Sequence, residues 1–400
     1  MKNSKSLLQL AQLTLGICLG SVIACAPTKF YPAVSPTSVC DPSLVVCEQG
    51  TGGTTKIVQA FKVGAGKVDI LFVIDNSASM AVIQNKLASK FSGFIQNLDA
   101  KETDYQIGIT TTDIAAVQTS PLVAFDNGST ILTKSVPDRV TQFGKAIARS
   151  ETRDCEAFIL SSYYTYGFGF QEHPAYVAGY NSKCPSPDTR GTLTALEVIK
   201  QNPAGMFRSD AHLNIILVSN DDSRGGGGRP KEDIDKPDYF LSQITALDAS
   251  KSKYLEFNSI VTMDATCGSQ QSNSFKDGNG ITIRNTSGSP VINASPAIEY
   301  IALSNSASKD VDGNAKPRGL TKSICEGDYA ILFKDLATNI TESARLLSLK
   351  CNPVSAPKVT KAGSTQTVPF LWQGDKILFQ KGSEGMNINV EYDCNVGAVK

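Results

Sequence analysis

A short polar turn, Asp75–Ser79 (DNSAS), carries the side chains of this 400-residue chain that are best suited to hold a metal ion. It follows Lys67–Ile74 (KVDILFVI), whose nearly continuous apolar run predicts a buried parallel strand. One carboxylate and two hydroxyls are thereby placed at the carboxyl end of a strand, the edge where open α/β sheets bind ligands. Hard cations such as Mg²⁺ prefer such oxygen ligands and use few carboxylates. The alternative is a turn that merely caps the next helix.

An amphipathic helix is predicted directly after the turn, because apolar residues recur at spacings of three and four. These residues are Met80, Ile83, Leu87, Phe91, Phe94 and Leu98. The succession of strand, DxSxS turn and helix resembles the opening of a von Willebrand factor type A domain, in which this motif begins a metal-ion-dependent adhesion site. The resemblance implies that Asp75, Ser77 and Ser79 bind Mg²⁺, or Mn²⁺ or Ca²⁺ in its place.

A second segment is similar to another part of the same site. Members of the family place a threonine on a loop just before a helix, and Arg190–Leu196 (RGTLTAL) matches that segment. The resemblance therefore implies Thr192 as a third hydroxyl ligand.

The third segment departs from the family pattern. Leu213–Val218 (LNIILV) predicts the central strand, after which the family places an aspartate. Here Ser219 and Asn220 take the aligned positions, so Asn220 would supply an amide oxygen, or else Asp221 or Asp222 would enter the site. The sequence leaves these three possibilities open.

Strands that alternate with helices predict an α/β fold with a doubly wound parallel sheet. The resemblance to a type A domain, which is Rossmann-like, extends over residues 65–350. Two insertions interrupt it: a Tyr- and Gly-rich loop between Cys155 and Cys184, and Asp264–Ser295. The aromatic loop could present a contact surface or fold back and bury its own rings. Residues 351–400 alternate in polarity and predict a small antiparallel β appendage.

The N-terminus predicts export. Two lysines precede the apolar stretch Leu7–Ala24, which fits a signal peptide over residues 1–24. Val22–Cys25 (VIAC) resembles the lipobox of bacterial lipoproteins and implies an acylated Cys25 that anchors the chain to a membrane. Ala26 after it implies the outer membrane of a bacterial cell envelope. Residues 25–64, rich first in Pro and then in Gly and Thr, predict a flexible tether.

Cysteine usage agrees with an oxidising compartment. Ten cysteines become eight when Cys18 is removed with the signal peptide and Cys25 is acylated, and an even number implies disulfides. Several pairings are possible, and we favour bridges between neighbours. These are Cys40–Cys47, Cys155–Cys184, Cys267–Cys325 and Cys351–Cys394.

The balance of charge argues against nucleic acid as a partner, because 38 basic and 38 acidic residues cancel. Three functional hypotheses follow. The first is a binding protein whose bound cation accepts an acidic residue of a protein partner; the second is an envelope scaffold with a degenerate, metal-free site. A hydrolase is the least favoured, because the chain has only His173 and His212 and no GxSxG motif. We therefore expect no enzymatic activity.

Overall fold

The computed structural model describes residues 45–49, 53–186, 188–224, 230–247, 255–309, 315–380 and 382–395. The predicted signal peptide, the predicted lipidation residue Cys25 and Cys40 lie outside these ranges. Of the helices inside them, none combines the length and the apolar character needed to cross a bilayer.

Strands and helices alternate along most of the described chain. The strands are β1 (Val45–Gln49), β2 (Thr54–Lys62), β3 (Lys67–Ile74), β4 (Asp104–Thr111), β5 (Leu132–Thr133), β6 (His212–Ser219), β7 (Leu255–Val261), β8 (Ala307–Lys309), β9 (Ala315–Pro317), β10 (Thr321–Ser323), β11 (Leu346–Ser348), β12 (Lys358–Lys361), β13 (Phe370–Gln373), β14 (Lys376–Phe379) and β15 (Asn387–Asn395). The helices are α1 (Ala81–Ala100), α2 (Ile114–Thr119), α3 (Arg139–Ile147), α4 (Ser150–Tyr166), α5 (Pro174–Lys183), α6 (Gly191–Gln201), α7 (Pro237–Leu247), α8 (Ala265–Ser272), α9 (Ile298–Asn305) and α10 (Tyr329–Ser343).

The central sheet has six strands in the order β10-β7-β6-β3-β4-β5. Its strands run parallel except β5, which pairs antiparallel with β4 at one edge. The chain starts in the middle at β3, proceeds through β4 to β5, and then returns to β6 on the other side of β3. This is the doubly wound arrangement, so the predicted fold class is confirmed, and its switch point lies between β3 and β6.

Helices cover both faces of the sheet. Successive side chains of a strand point to opposite sides, so the apolar strand β3 packs against helices on each side. Phe72 of β3 joins an apolar cluster with residues of α1, α3 and α10, where its ring lies 4.9 Å from that of Phe143. Leu71 and Val73 belong to a second cluster with residues of α2, α6, α7 and α9. The turn after β3 therefore projects from a strand that is fixed on both faces.

The Tyr- and Gly-rich segment is more ordered than the loop that its sequence predicts. It contains α4 and α5, which the turn Gly167–Gly169 separates, and both glycines of that turn have positive φ. Both alternatives for its aromatic rings hold in part. Phe170 and Tyr176 are buried in a shared apolar cluster, whereas Tyr164 and Phe168 are exposed.

Three of the predicted disulfides are present: Cys155–Cys184, Cys267–Cys325 and Cys351–Cys394. The fourth prediction, Cys40–Cys47, includes a residue outside the described ranges.

A second, all-β part of the chain consists of a four-stranded antiparallel sheet, β1-β2-β15-β12, and a three-stranded sheet, β11-β14-β13. Side chains of both sheets share one apolar core. β1 and β2 belong to the stretch 25–64, in which a flexible tether is predicted, yet β2 pairs along its whole length with β15. The structure corrects that prediction for Thr54–Lys62, because the partner strand lies more than 300 residues later in the chain.

Replacing Ile57 tests this correction. Ile57 of β2 is fully buried in the β core, so Ile57→Ala should lower the free energy of unfolding by about 2–5 kcal/mol. The neighbouring Lys56→Ala removes a partly exposed ion pair with Glu391 and should change the free energy of unfolding by about 1 kcal/mol or less. Urea denaturation of both variants gives the comparison. Equal, small effects would show that this stretch behaves as a tether.

Candidate metal centre

Asp75 is held in a fixed orientation at the switch point of the sheet. Its N–H donates to the carbonyl of Val218 at 2.9 Å, which ties the end of β3 to the end of β6. Its carboxylate accepts hydrogen bonds from the N–H of Ser77 at 2.9 Å and from the hydroxyl of Ser219 at 2.6 Å. The side chain is fully buried. Hydrogen bonds from the protein therefore fix the position of the carboxylate.

Both serines of the turn lie beside this carboxylate. The hydroxyl oxygens of Ser77 and Ser79 are 2.9 Å apart, and that of Ser79 donates to the side-chain oxygen of Asn220 at 3.1 Å. The structure thus brings together four of the residues predicted for the site.

Thr192 reaches the same edge of the sheet through a chain of backbone hydrogen bonds. The N–H of Thr112, just after β4, donates to the carbonyl of Ile74 at 3.1 Å, and the N–H of Arg190 donates to the carbonyl of Thr112 at 2.9 Å. α6 begins at Gly191, where a Cβ would lie only 2.4 Å from the side chain of Leu217. The glycine therefore lets the start of this helix pack closely on β6.

Several buried polar atoms at this edge have no hydrogen-bond partner in the described part of the chain. They include the hydroxyls of Thr192 and Thr112 and the amide nitrogen of Asn220. A buried polar group without a partner costs free energy, so such groups point to a ligand when they cluster. The hydroxyl of Thr192 is the one that the site prediction requires.

The structure separates the three polar residues that follow β6. The carboxylate of Asp222 accepts the N–H of Glu299 at 3.1 and 3.2 Å and pairs with Lys231, so it is engaged at the start of α9. Asp221 instead accepts the hydroxyl of Ser295 at 2.8 Å and lines the pocket above the turn. Asn220 and Asp221 therefore lie on the side of the site, and Asp222 does not.

Among the described residues, Asp75 and Asp221 are buried carboxylates that pair with no basic side chain. Burial raises the pKa of Asp75, and burial together with the charge of Asp75 raises the pKa of Asp221 to about 7. Nearby Arg190 pairs with Asp188, and Lys231 pairs with Asp222. Uncompensated buried charge is costly, and a divalent cation would relieve it.

The donor set fits a hard divalent cation, because it consists of carboxylate, hydroxyl and amide oxygens. The described ranges contain no cluster of three or more His, Cys, Asp or Glu suited to a metal. A cation at this edge would therefore depend largely on hydroxyls.

Residues that sequence analysis missed support the turn from behind. The amide nitrogen of Gln84 donates to the carbonyl of Asp75 at 2.9 Å and to the hydroxyl of Thr152 at 3.1 Å. The hydroxyl of Thr152 donates in turn to the carbonyl of Asn76 at 2.8 Å. A signal for Gln84 exists in the sequence, because it is a polar residue on the apolar face of α1.

A pocket of about 460 Å³ lies above the turn. Ser77, Ser79 and Asp221 line it on one side, and Tyr180 and Ile292 of the two insertions line it on another. Sequence analysis did not predict this pocket, because its walls come from segments far apart in the chain.

Neither histidine lies in this pocket. His212 is the first residue of β6 and pairs in register with Val68 near the start of β3. It therefore lies where these strands begin, opposite the strand ends that carry the turn. It is buried, and burial lowers its pKa to about 4. The side chain of His173 accepts the N–H of Ala175 at the start of α5.

No family model and no curated protein matches the chain. Among solved structures it is similar to the pilus adhesin SpaC from Lactobacillus rhamnosus GG in an open conformation, with 10% identity over 88% of this chain and 43% of that one, and a TM-score of 0.33. It is also similar to a von Willebrand factor type A protein from Catenulispora acidiphila, with 12% identity over 89% of this chain and 66% of that one, and a TM-score of 0.33. The chain thus spans less than two thirds of each of these structures. At such TM-scores, the fold assignment rests on the strand order described above.

The pKa of Asp221 predicts how stability depends on pH. Its pKa is about 7 in the folded chain and 3.8 in the reference state, so the folded state binds more protons between these values. Without divalent cations, the free energy of unfolding should therefore fall as pH rises from about 4 to 7. Asp221→Asn should remove much of this fall. Urea denaturation in a chelator at pH 4 to 8 measures it.

Asp126→Asn is the matched control, because Asp126 is an exposed carboxylate paired with Lys145. It should leave the pH profile of the wild type almost unchanged. A profile of Asp221→Asn that coincides with that of the wild type would contradict the prediction.

Proposed function

We propose that this protein binds a protein partner through a divalent cation, Mg²⁺ or else Mn²⁺ or Ca²⁺. Asp75, Ser77, Ser79 and Thr192 would hold the cation, and Asn220 or Asp221 would complete its ligands. The observation that carries the proposal is the pair of buried carboxylates, Asp75 and Asp221, at the switch point of the sheet, which no basic side chain in the described part of the chain neutralises.

The cation, when bound, would offer an open coordination position to an acidic side chain of the partner. The chain's own residues prepare that position. Ser219 fixes one oxygen of Asp75, and Gln84 holds the backbone of the turn. Binding is favoured over catalysis because neither histidine lines the pocket that would admit a substrate.

One observation favours the alternative of a metal-free scaffold. The hydrogen bonds among Ser77, Ser79 and Asn220 close the turn on the chain's own side chains. In that case the type A-like fold would serve only as a structural element of the envelope.

The proposed location is a bacterial cell envelope, with acyl chains on Cys25 anchoring the protein to the outer membrane. Disulfides persist in oxidising compartments, and the three bridges of the described residues agree with export. The lipobox-like sequence before Cys25 supplies the mode of anchoring.

Asp75 provides the test of metal binding. Asp75→Ala should weaken the affinity for Mg²⁺ or Mn²⁺ by about 100-fold, and Ser77→Ala or Thr192→Ala by about tenfold, because each hydroxyl is a neutral ligand. Asp221→Asn should weaken it as well. Asp222→Asn is the matched control and should retain the affinity, because Asp222 is engaged by Lys231 and the N–H of Glu299. Calorimetry measures these affinities.

Two outcomes would contradict this prediction. If the wild type binds no Mg²⁺, Mn²⁺ or Ca²⁺ at millimolar concentration, the scaffold alternative replaces the binding function. If Asp222→Asn loses affinity while Asp221→Asn keeps it, the assignment of the second carboxylate is reversed.

Cys25 provides the test of anchoring. Because it is the proposed acylated residue, Cys25→Ser should yield a soluble protein or an uncleaved precursor in place of the membrane-bound form. Fractionation and mass spectrometry of the N-terminus distinguish these products. Processing and membrane binding identical to the wild type would overturn the lipoprotein assignment.

A further inference from the structure

The pocket above the turn is lined by both polar and apolar side chains. On one side it presents the hydroxyls of Ser77 and Ser79 and the carboxylate of Asp221. The facing walls include Ile159, Tyr180 and Ile292, which are apolar or aromatic. The lining also includes the polar residues Gln171, Asn181, Ser186, Thr189 and Asn293, but most of its surface is apolar. A largely apolar pocket with a limited number of polar groups is typical of sites that bind small or slender ligands.

The walls of the pocket are pre-formed. The disulfide Cys155–Cys184 ties α4 to the end of α5. The two insertions also contact each other, because the N–H of Gly278 donates to the hydroxyl of Tyr164 at 2.6 Å and the hydroxyl of Thr286 donates to Glu172 at 2.7 Å. Residues from both insertions form one apolar cluster, which includes the wall residues Ile159 and Ile292. Ligand binding therefore requires little ordering of this part of the chain.

The charge of the pocket restricts its occupant. No lysine, arginine or histidine is among the described residues that line it. The carboxylates of Asp221 and Asp75 would therefore repel an anion unless a cation lay between the anion and these carboxylates. The site of the proposed function supplies that cation, and the apolar walls begin beside it.

We propose that this pocket binds a carboxylate that carries an apolar or aromatic body, with the carboxylate on the cation and the body against Tyr180 and Val177. A flat protein face would not enter a pocket of about 460 Å³ between two insertions, whereas a slender group would. The same chemistry is offered by an acidic side chain next to an apolar one on a protruding peptide, and by a free aromatic acid. This inference rests on the proposed function, since it needs the cation.

The test compares acetate with 3-phenylpropanoate by calorimetry on the full mature chain saturated with Mn²⁺. The aromatic acid should bind at least tenfold more tightly, because its ring is buried. Neither should bind in a chelator. The blocked dipeptide N-acetyl-phenylalanyl-glutamate amide is the third probe. If it binds more tightly than the free acid, the source is a peptide segment, and the reverse order assigns a free acid; both orders support the proposed ligand class.

Variants of the wall keep the test specific. Tyr180→Ala should weaken the affinity for 3-phenylpropanoate by about tenfold. Tyr180→Phe should retain this affinity, because the ring and not the hydroxyl forms the wall. Val177→Ser should weaken it by a smaller factor. Val354→Ser is the matched control, since Val177 is 50% exposed and Val354 is 48% exposed but lies outside the pocket. Mn²⁺ affinity should stay unchanged in all four variants.

The failures are distinguishable. Equal binding of acetate and 3-phenylpropanoate, with Mn²⁺ affinity intact, would overturn the apolar pocket and leave the proposed function in place. Absence of Mn²⁺ binding would overturn both. Binding of 2-phenylethylammonium in a chelator, more tightly than 3-phenylpropanoate binds with Mn²⁺, would overturn the proposed ligand class, because Asp221 would then bind an amine directly. The proposed function would still be decided by the Mn²⁺ affinity.

Discussion

The carboxylate of Asp75 is fully buried at the end of β3, and the surrounding loops supply its hydrogen bonds. Burial there is possible because the order in which the chain adds strands reverses between the parallel strands β3 and β6, which leaves room for a turn between two adjacent strand ends. The hydroxyl of Ser219 and the N–H of Ser77 each donate to one oxygen of the carboxylate. Asp221 adds a second buried acidic group nearby, and the pKa values of both are raised. Burying two acidic groups together is electrostatically unfavourable, and a bound cation would offset this cost. The fold holds the oxygens in the positions that such a cation would need.

The two insertions change the surroundings of this edge of the sheet. In a bare doubly wound fold the turn would lie on an open surface. Here α4 and α5 on one side, and the segment after α8 on the other, enclose it in a pocket. The disulfide Cys155–Cys184 and the contacts between the insertions fix these walls. The cluster of oxygens at a strand end thus belongs to the sheet, and the walls of the pocket around it belong to the insertions.

The β part of the chain has a different role, because it joins regions from both ends of the sequence. β2 pairs with β15, and the bridge Cys351–Cys394 closes the C-terminal segment onto the same core. β2 is followed almost directly by β3, so the strand that carries Asp75 begins beside this core.

The sequence by itself determined the features that depend on local pattern. The apolar run of β3 and the stripe of α1 located the polar turn at a strand end, and the alternation of strands and helices determined the doubly wound class. Neighbouring cysteines also suggested three bridges that are present. Only the tertiary structure separates Asp221, which lines the pocket, from Asp222, which is engaged at the start of α9. Consecutive turn residues have no periodicity, and their directions follow from partners such as Ser295 and Glu299. The same holds for β2, whose strand partner is distant in sequence, and for the pocket, whose walls meet only when two insertions pack together.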